Sequence, residues 1–177
     1  MKILGISGSL RTGSSNSALV LAAKSLVSPE IEIEIYDGLA SLPHFSPELD
    51  IDPAPDEVSR LRSCLLSSDA VFISTPEYAF GVPGSLKNAL DWVVSSGEFA
   101  GKPTAAVSAS PLESGGAKAL VSLVQTLKVM SADIQDAGAL SLPFIRSKFD
   151  GNGKLVDPAT IAAMRAVLDT LNPRNSE

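Results

Sequence analysis

The chain has 177 residues, an apolar fraction of 45%, a charged fraction of 19% and a net charge of −6. That size suits one domain spanning residues 1–177, and the apolar content excludes a disordered chain. The acidic balance argues against nucleic acid and anionic membrane as partners, which reward clustered lysine and arginine, but leaves room for a nucleotide-sized anion.

The first apolar run, Met1 to Ile6, breaks at once into glycine and serine. It is too short for a signal peptide, and no segment reaches the length of a membrane span, so a cytoplasmic location is expected. Cys64 is the sole cysteine and His44 the sole histidine. An intrachain disulfide and a cysteine metal cluster are therefore excluded, and no metal site is expected. Cys64 reads as a small residue packed on or near the core, because a catalytic thiol needs a nearby base.

Ile3–Ile6 predicts a first strand, followed by a Gly/Ser-rich loop and a helix with Leu19, Ala22, Ala23, Leu26 and Val27 on one face. Pro29 ends that helix. Ile31–Tyr36 alternates strictly and predicts a strand at or near a sheet edge. Residues 37–55 carry four prolines and no period, which predicts a long surface loop. A helix from Asp56 presents Val58, Leu61, Leu65 and Leu66 inward, with Asp56 and Glu57 suited to its positive N-terminal end.

Asp69–Ser74 predicts a buried parallel strand, and Leu86, Ala89, Leu90, Val93 and Val94 recur at helical spacing after it. On that helix Lys87 and Asp91 stand four apart and suit an ion pair. Trp92 is expected to pack, with a subunit interface as one setting. Thr104–Ala109 predicts a fourth strand, Leu120, Leu123, Val124 and Leu127 a helix, and 133–142 a last strand interrupted at Gly138. A final helix carries Ile161, Met164, Leu168 and Leu171. Five strands alternating with helices predict an α/β, flavodoxin-like, doubly wound parallel sheet of order 2-1-3-4-5.

Three loops then fall at carboxyl ends of strands, the edge where such sheets bind ligands. The first holds Ser7, Ser9, Thr12, Ser14, Ser15, Asn16 and Ser17 around one cation, Arg11. Many neutral donors and one guanidinium at a helix N-terminus suit a phosphate monoester, though the same residues also suit a plain helix cap. Neither the P-loop nor the three-glycine dinucleotide spacing is present. The second, Thr75 to Pro83, combines stiff prolines with glycines that let a flat ligand approach. Glu77 there suits a ligand, a partner or a helix cap, and Tyr78 suits stacking or an aromatic wedge. The third, Ser110 to Gly116, has the small residues of a close backbone approach.

Gly8-Ser9-Leu10-Arg11, Ser15-Asn16, Pro76-Glu77-Tyr78 and Pro83-Gly84-Ser85-Leu86-Lys87-Asn88-Ala89-Leu90-Asp91-Trp92 together resemble the NAD(P)H-dependent FMN reductase family. That family includes flavodoxin-like quinone, azo-dye and chromate reductases. The resemblance implies bound FMN, with NADPH or NADH as hydride donor and a quinone or similar small molecule as electron acceptor. It places Ser9, Arg11, Ser15, Asn16 and Ser17 at the FMN phosphate, and Pro76, Glu77 and Tyr78 beside the isoalloxazine. Backbone N–H groups of Ala79 and Phe80 are available to the ring, and Ser110 and Gly115 close its other side. The family has asparagine where this chain has Ala79 and serine where it has Gly81, which removes two side-chain donors. It also implies a homodimer or homotetramer. No side chain is assigned a catalytic acid or base role. Two rivals remain: a flavodoxin-type electron carrier without a nicotinamide site, and a flavin-free nucleotide-binding protein of the same fold.

Overall fold

Five parallel strands in the order β2-β1-β3-β4-β5 form the sheet of the computed structural model, which is described for residues 1–172. The strands are β1 (Lys2–Ser7), β2 (Glu32–Tyr36), β3 (Ala70–Thr75), β4 (Thr104–Ala109) and β5 (Ala139–Leu142). The helices between and after them are α1 (Ser15–Ala23), α2 (Asp56–Leu66), α3 (Gly84–Asp91), α4 (Ala117–Val129) and α5 (Pro158–Asp169). The predicted strand order holds, with the alternating strand β2 at the edge.

The sheet is apolar on both faces because parallel strands are covered on both. On one face Leu4, Ile6, Val71 and Ile73 pack with Leu61 and Leu65 of α2, Leu86 and Leu90 of α3, and Leu123 and Leu127 of α4. On the other, Ile3, Phe72, Ala105 and Val107 meet Leu19 and Val20 of α1 and Met164 and Leu168 of α5. Fully buried leucines such as Leu19, Leu65 and Leu123 each contribute roughly 1.5–3 kcal/mol over an exposed one. Cys64 is partly buried against the first of these clusters, and burial pushes its thiol pKa up, which keeps it a packing residue.

Several expectations need correction. Leu66 and Val94 point to solvent, at 70% and 54% exposure. Leu66 is the last residue of α2 and lies about 100° round the helix from Leu65, off the buried stripe. Val94 follows α3, which closes at Asp91, so the helical period no longer sets its direction. The last strand forms only at 139–142, since Asp133 makes an isolated bridge to Pro103 and Asp136–Gly138 turns as 3₁₀ helix. Segment 37–55 is not purely superficial, because Leu39 and Leu42 are buried in the core.

Trp92 lies within the chain's own interior and is fully buried. Its indole Nε1–H donates to the Pro43 carbonyl at 2.8 Å, and the Asn88 side-chain amide donates to the same oxygen at 2.9 Å. Asn88 also accepts the Phe45 N–H at 2.8 Å, and the Phe45 ring stands edge-on to Trp92 with centroids 5.1 Å apart. Residues four apart on one helix thus hold the segment after β2 against α3. Arg62 of α2 adds a second tie, donating to Asp50 at 2.7 Å and to the Trp92 carbonyl at 2.6 Å.

Among the described residues, no helix is long and apolar enough to cross a membrane.

Candidate active site

The loops leaving β1, β3 and β4 meet at the carboxyl edge of the sheet. The close fit begins at Gly8, whose N–H donates to the Ser74 carbonyl at 2.8 Å. A Cβ there would stand 2.9 Å from Thr75 Oγ1, so any side chain would force the β1 and β3 loops apart. Between the loops lies a cleft of about 430 Å³, within the roughly 300–1,000 Å³ range of small-molecule sites.

One flank of the cleft is the β1–α1 loop, represented by Ser9, Arg11, Ser14, Ser15 and Asn16. Ser14 caps α1 by accepting the Asn16 N–H at 3.2 Å. The first turn of α1 holds no acidic residue, so its positive end is not neutralised from within the helix. Among the described residues no acceptor meets the Ser15 or Ser17 N–H, as expected for first-turn donors awaiting an anion. Arg11 is exposed, and among the described residues its guanidinium reaches only the Gly13 carbonyl, at 3.4 Å.

The second flank is Pro76, Glu77 and Tyr78. Glu77 is committed locally: its Oε2 accepts the Lys118 N–H at 2.9 Å and the Ala119 N–H at 3.0 Å. Of the meanings open to it from sequence, the structure realises the helix cap. It fills the N-terminus of α4 with a carboxylate, which leaves the α1 N-terminus as the open anion end beside it. Tyr78 and Gly81 exchange N–H···O bonds at 3.0 Å, and the two residues between them, Ala79 (φ 48°) and Phe80 (φ 64°), both adopt the left-handed region. That is a tight two-residue turn, and it carries Ala79 and Phe80 past the cleft lining into solvent. Phe80 is 69% exposed, with the Lys118 ammonium 4.0 Å from its ring centroid.

The third flank is Ser110, Pro111 and Leu112, joined by Ile145 and Arg146 from the segment after β5. The Ser110 carbonyl accepts the Ile145 N–H at 3.0 Å, and the Leu112 N–H donates to Ser110 Oγ at 3.1 Å. Gly115 lies behind this wall. Its φ of 60° and the 2.9 Å separation between a built Cβ and Pro143 N make glycine obligatory there.

Of the residues expected at the site, the structure brings Ser9, Arg11, Ser15, Asn16, Pro76, Glu77, Tyr78 and Ser110 into one cleft. Ser17 lines the adjoining groove instead and shares a hydrogen bond with Ser7 at 2.8 Å between their hydroxyls. Ala79, Phe80 and Gly115 are outside the lining. The Asn16 side chain is spoken for: its amide donates to the Ala109 carbonyl at 3.2 Å, and its oxygen accepts the Ser74 hydroxyl at 2.9 Å. Buried in this way, it ties α1 to the ends of β3 and β4. Leu112, Ile145 and Arg146 were not anticipated. Nothing local marks them, since the parallel crossover that delivers residues 145–146 to this edge is a property of the whole sheet.

The donor set fits FMN. Hydroxyls, a free helix end and a guanidinium can hold a phosphate, and Pro76, Tyr78, Pro111, Leu112 and Ile145 offer a flat, largely apolar slot for a ring. Among the described residues, no group of three or more histidine, cysteine, aspartate or glutamate side chains could hold a metal.

Fold and cleft together define a flavodoxin-like reductase. The family model described as NADPH-dependent FMN reductase matches residues 1–146, and the chain belongs to that family. It is 37% identical over 159 residues to an NAD(P)H-dependent FMN reductase of Pseudomonas aeruginosa, covering 89% of this chain and 85% of that protein. It is 28% identical over 165 residues to a quinone reductase of Escherichia coli K12, covering 91% and 88% respectively. Among solved structures it resembles FerB, a flavoenzyme NAD(P)H:(acceptor) oxidoreductase from Paracoccus denitrificans. The TM-score is 0.86 at 28% identity, over 96% of this chain and 94% of that one. The chain is an NAD(P)H-dependent FMN oxidoreductase.

Proposed function

We propose that this oxidoreductase uses its FMN to reduce a quinone or a similar small acceptor, such as an azo dye, chromate or free flavin, and works in the cytoplasm as a homodimer or homotetramer. The observation that carries the reading is the single cleft in which the Ser9–Asn16 loop, Pro76–Tyr78 and Ser110–Leu112 converge. When bound, FMN supplies the acceptance of hydride from NAD(P)H and its transfer onward.

The chain's residues bind and orient. Ser9, Ser15 and Arg11 are the phosphate ligands in this reading, with the Ser17 hydroxyl bracing the loop through Ser7. Pro76 and Tyr78 flank the ring, with Ser110 and Leu112 opposite. Glu77 and Asn16 are positioning residues that hold two walls at fixed separation. No side-chain acid or base is required, in keeping with a cleft that contains no histidine. The half-exposed Tyr78 leaves one side of the slot open to solvent, as alternating occupancy by nicotinamide and acceptor requires. An exposed apolar strip on α4, Val121 and Val129, supports self-association.

The test is a visible spectrum of the purified protein followed by anaerobic titration with NADPH and then with a quinone. Flavin bands that bleach with NADPH and return with quinone are expected. Retained flavin that NADPH does not bleach would leave an electron carrier, and a colourless protein indifferent to added FMN would remove the flavin reading altogether.

A further inference from the structure

We infer that Arg146 is a second guanidinium for the FMN phosphate, delivered from the segment after β5 to face Arg11 across the α1 N-terminus. The inference rests on the FMN reading above. Arg146 lines the cleft together with Ser14 and Ser15, and the same three residues also line the adjoining groove. Arg146 therefore borders the cleft at the end where α1 begins.

Its backbone is fixed on both sides. Ile145 is fully buried and donates its N–H to the Ser110 carbonyl at 3.0 Å. Ser147 Oγ donates to the Phe144 carbonyl at 2.9 Å, and the Lys148 carbonyl accepts the Val156 N–H at 3.0 Å. The side chain thus springs from an anchored turn at the cleft's edge.

Its charge is also uncancelled. Arg60 pairs with Asp37 and Arg62 with Asp50, whereas among the described residues neither Arg11 nor Arg146 has a carboxylate partner. Three carboxylates on the surrounding segments are engaged elsewhere. Glu77 caps α4, Asp157 pairs with Lys148 at 3.4 Å and caps α5, and Asp150 Oδ1 accepts two backbone N–H groups at 2.9 Å. Two unpaired guanidiniums at one helix N-terminus, in a chain of net charge −6, suit a dianionic phosphate, which has oxygens enough for both.

Apoprotein made by stripping the flavin from purified protein is titrated with FMN and with riboflavin, which lacks the phosphate. Arg146→Gln should weaken FMN by about tenfold and leave riboflavin unchanged, with Arg146→Lys recovering part of the loss. The salt dependence of FMN binding should also become shallower in Arg146→Gln. FMN affinity equal to that of the unsubstituted protein would overturn the role of Arg146. So would equal losses for FMN and riboflavin, or a loss confined to the KM for NADPH. An unsubstituted protein that binds FMN no better than riboflavin would overturn the phosphate site itself.

Discussion

Glu77, in the loop after β3, accepts the backbone N–H of Ala119, in the first turn of α4, at 3.0 Å. The carboxylate that caps α4 thus belongs to a residue flanking the proposed ring slot. One wall of the cleft, the Pro76–Tyr78 loop, and the start of α4 behind it are held as one unit. Substituting Glu77 would release both together.

Glu77→Ala is expected to cost about 1–2 kcal/mol of stability, the scale of a lost helix cap, and to weaken FMN and riboflavin alike, since it loosens the ring slot. Urea unfolding and the two flavin titrations check this. Glu77→Gln retains an acceptor oxygen and should lose less. An Ala variant as stable as the unsubstituted protein would show that the cap carries no energy.

Arg11→Ala should weaken FMN by about 1.5–3 kcal/mol, the range of a charge-assisted hydrogen bond. Riboflavin affinity should stay where it was. Unchanged FMN binding would make Arg11 a surface residue that touches only the Gly13 carbonyl.

Ala79 sits at φ 48° in a turn whose conformation favours asparagine or glycine. Alanine pays roughly 1–2 kcal/mol for the left-handed region, and asparagine pays less. Ala79→Asn should therefore raise stability by about 1 kcal/mol, read as a higher urea midpoint at constant slope. A lower midpoint would mean the turn is not left-handed in solution.

The Asp50 carboxyl is held below the usual carboxylate range, first by the Ser95 hydroxyl and then by Arg62. With the folded value depressed, its contribution is present above the unfolded pKa of about 3.9 and is lost as pH falls through the folded value. Asp50→Asn should cost about 2 kcal/mol at pH 7 and flatten the acid limb of the stability curve below about pH 4. Parallel limbs in the two proteins would show that the pair does not couple to folding.

The sheet was legible in the sequence because each strand and helix carries its own period, and parallel crossovers leave few ways to join them. That the Ser9–Asn16 loop borders the cleft was legible for a like reason, since it leaves a strand's carboxyl end and enters a helix. Helix ends were not: Leu66 is the last residue of α2, and Val94 continues the apolar period past the end of α3. Nor could local pattern show that Glu77 meets a helix starting forty residues later, that Arg146 borders the cleft, or that Trp92 packs beneath Pro43. Each of those relations is made by the crossovers rather than by neighbours in the chain.

Trp92 is the chain's one tryptophan, and its indole N–H is bonded to Pro43 while Phe45 lies against its ring. The protein therefore carries an intrinsic optical reporter on the seating of residues 43–45. Lifting that segment from α3 would hydrate the indole and shift its emission to the red, whereas a change confined to the cleft's own walls would leave the indole dry. Emission recorded while NADPH and acceptor are added in turn would separate motion of this strap from events at the flavin, without any label.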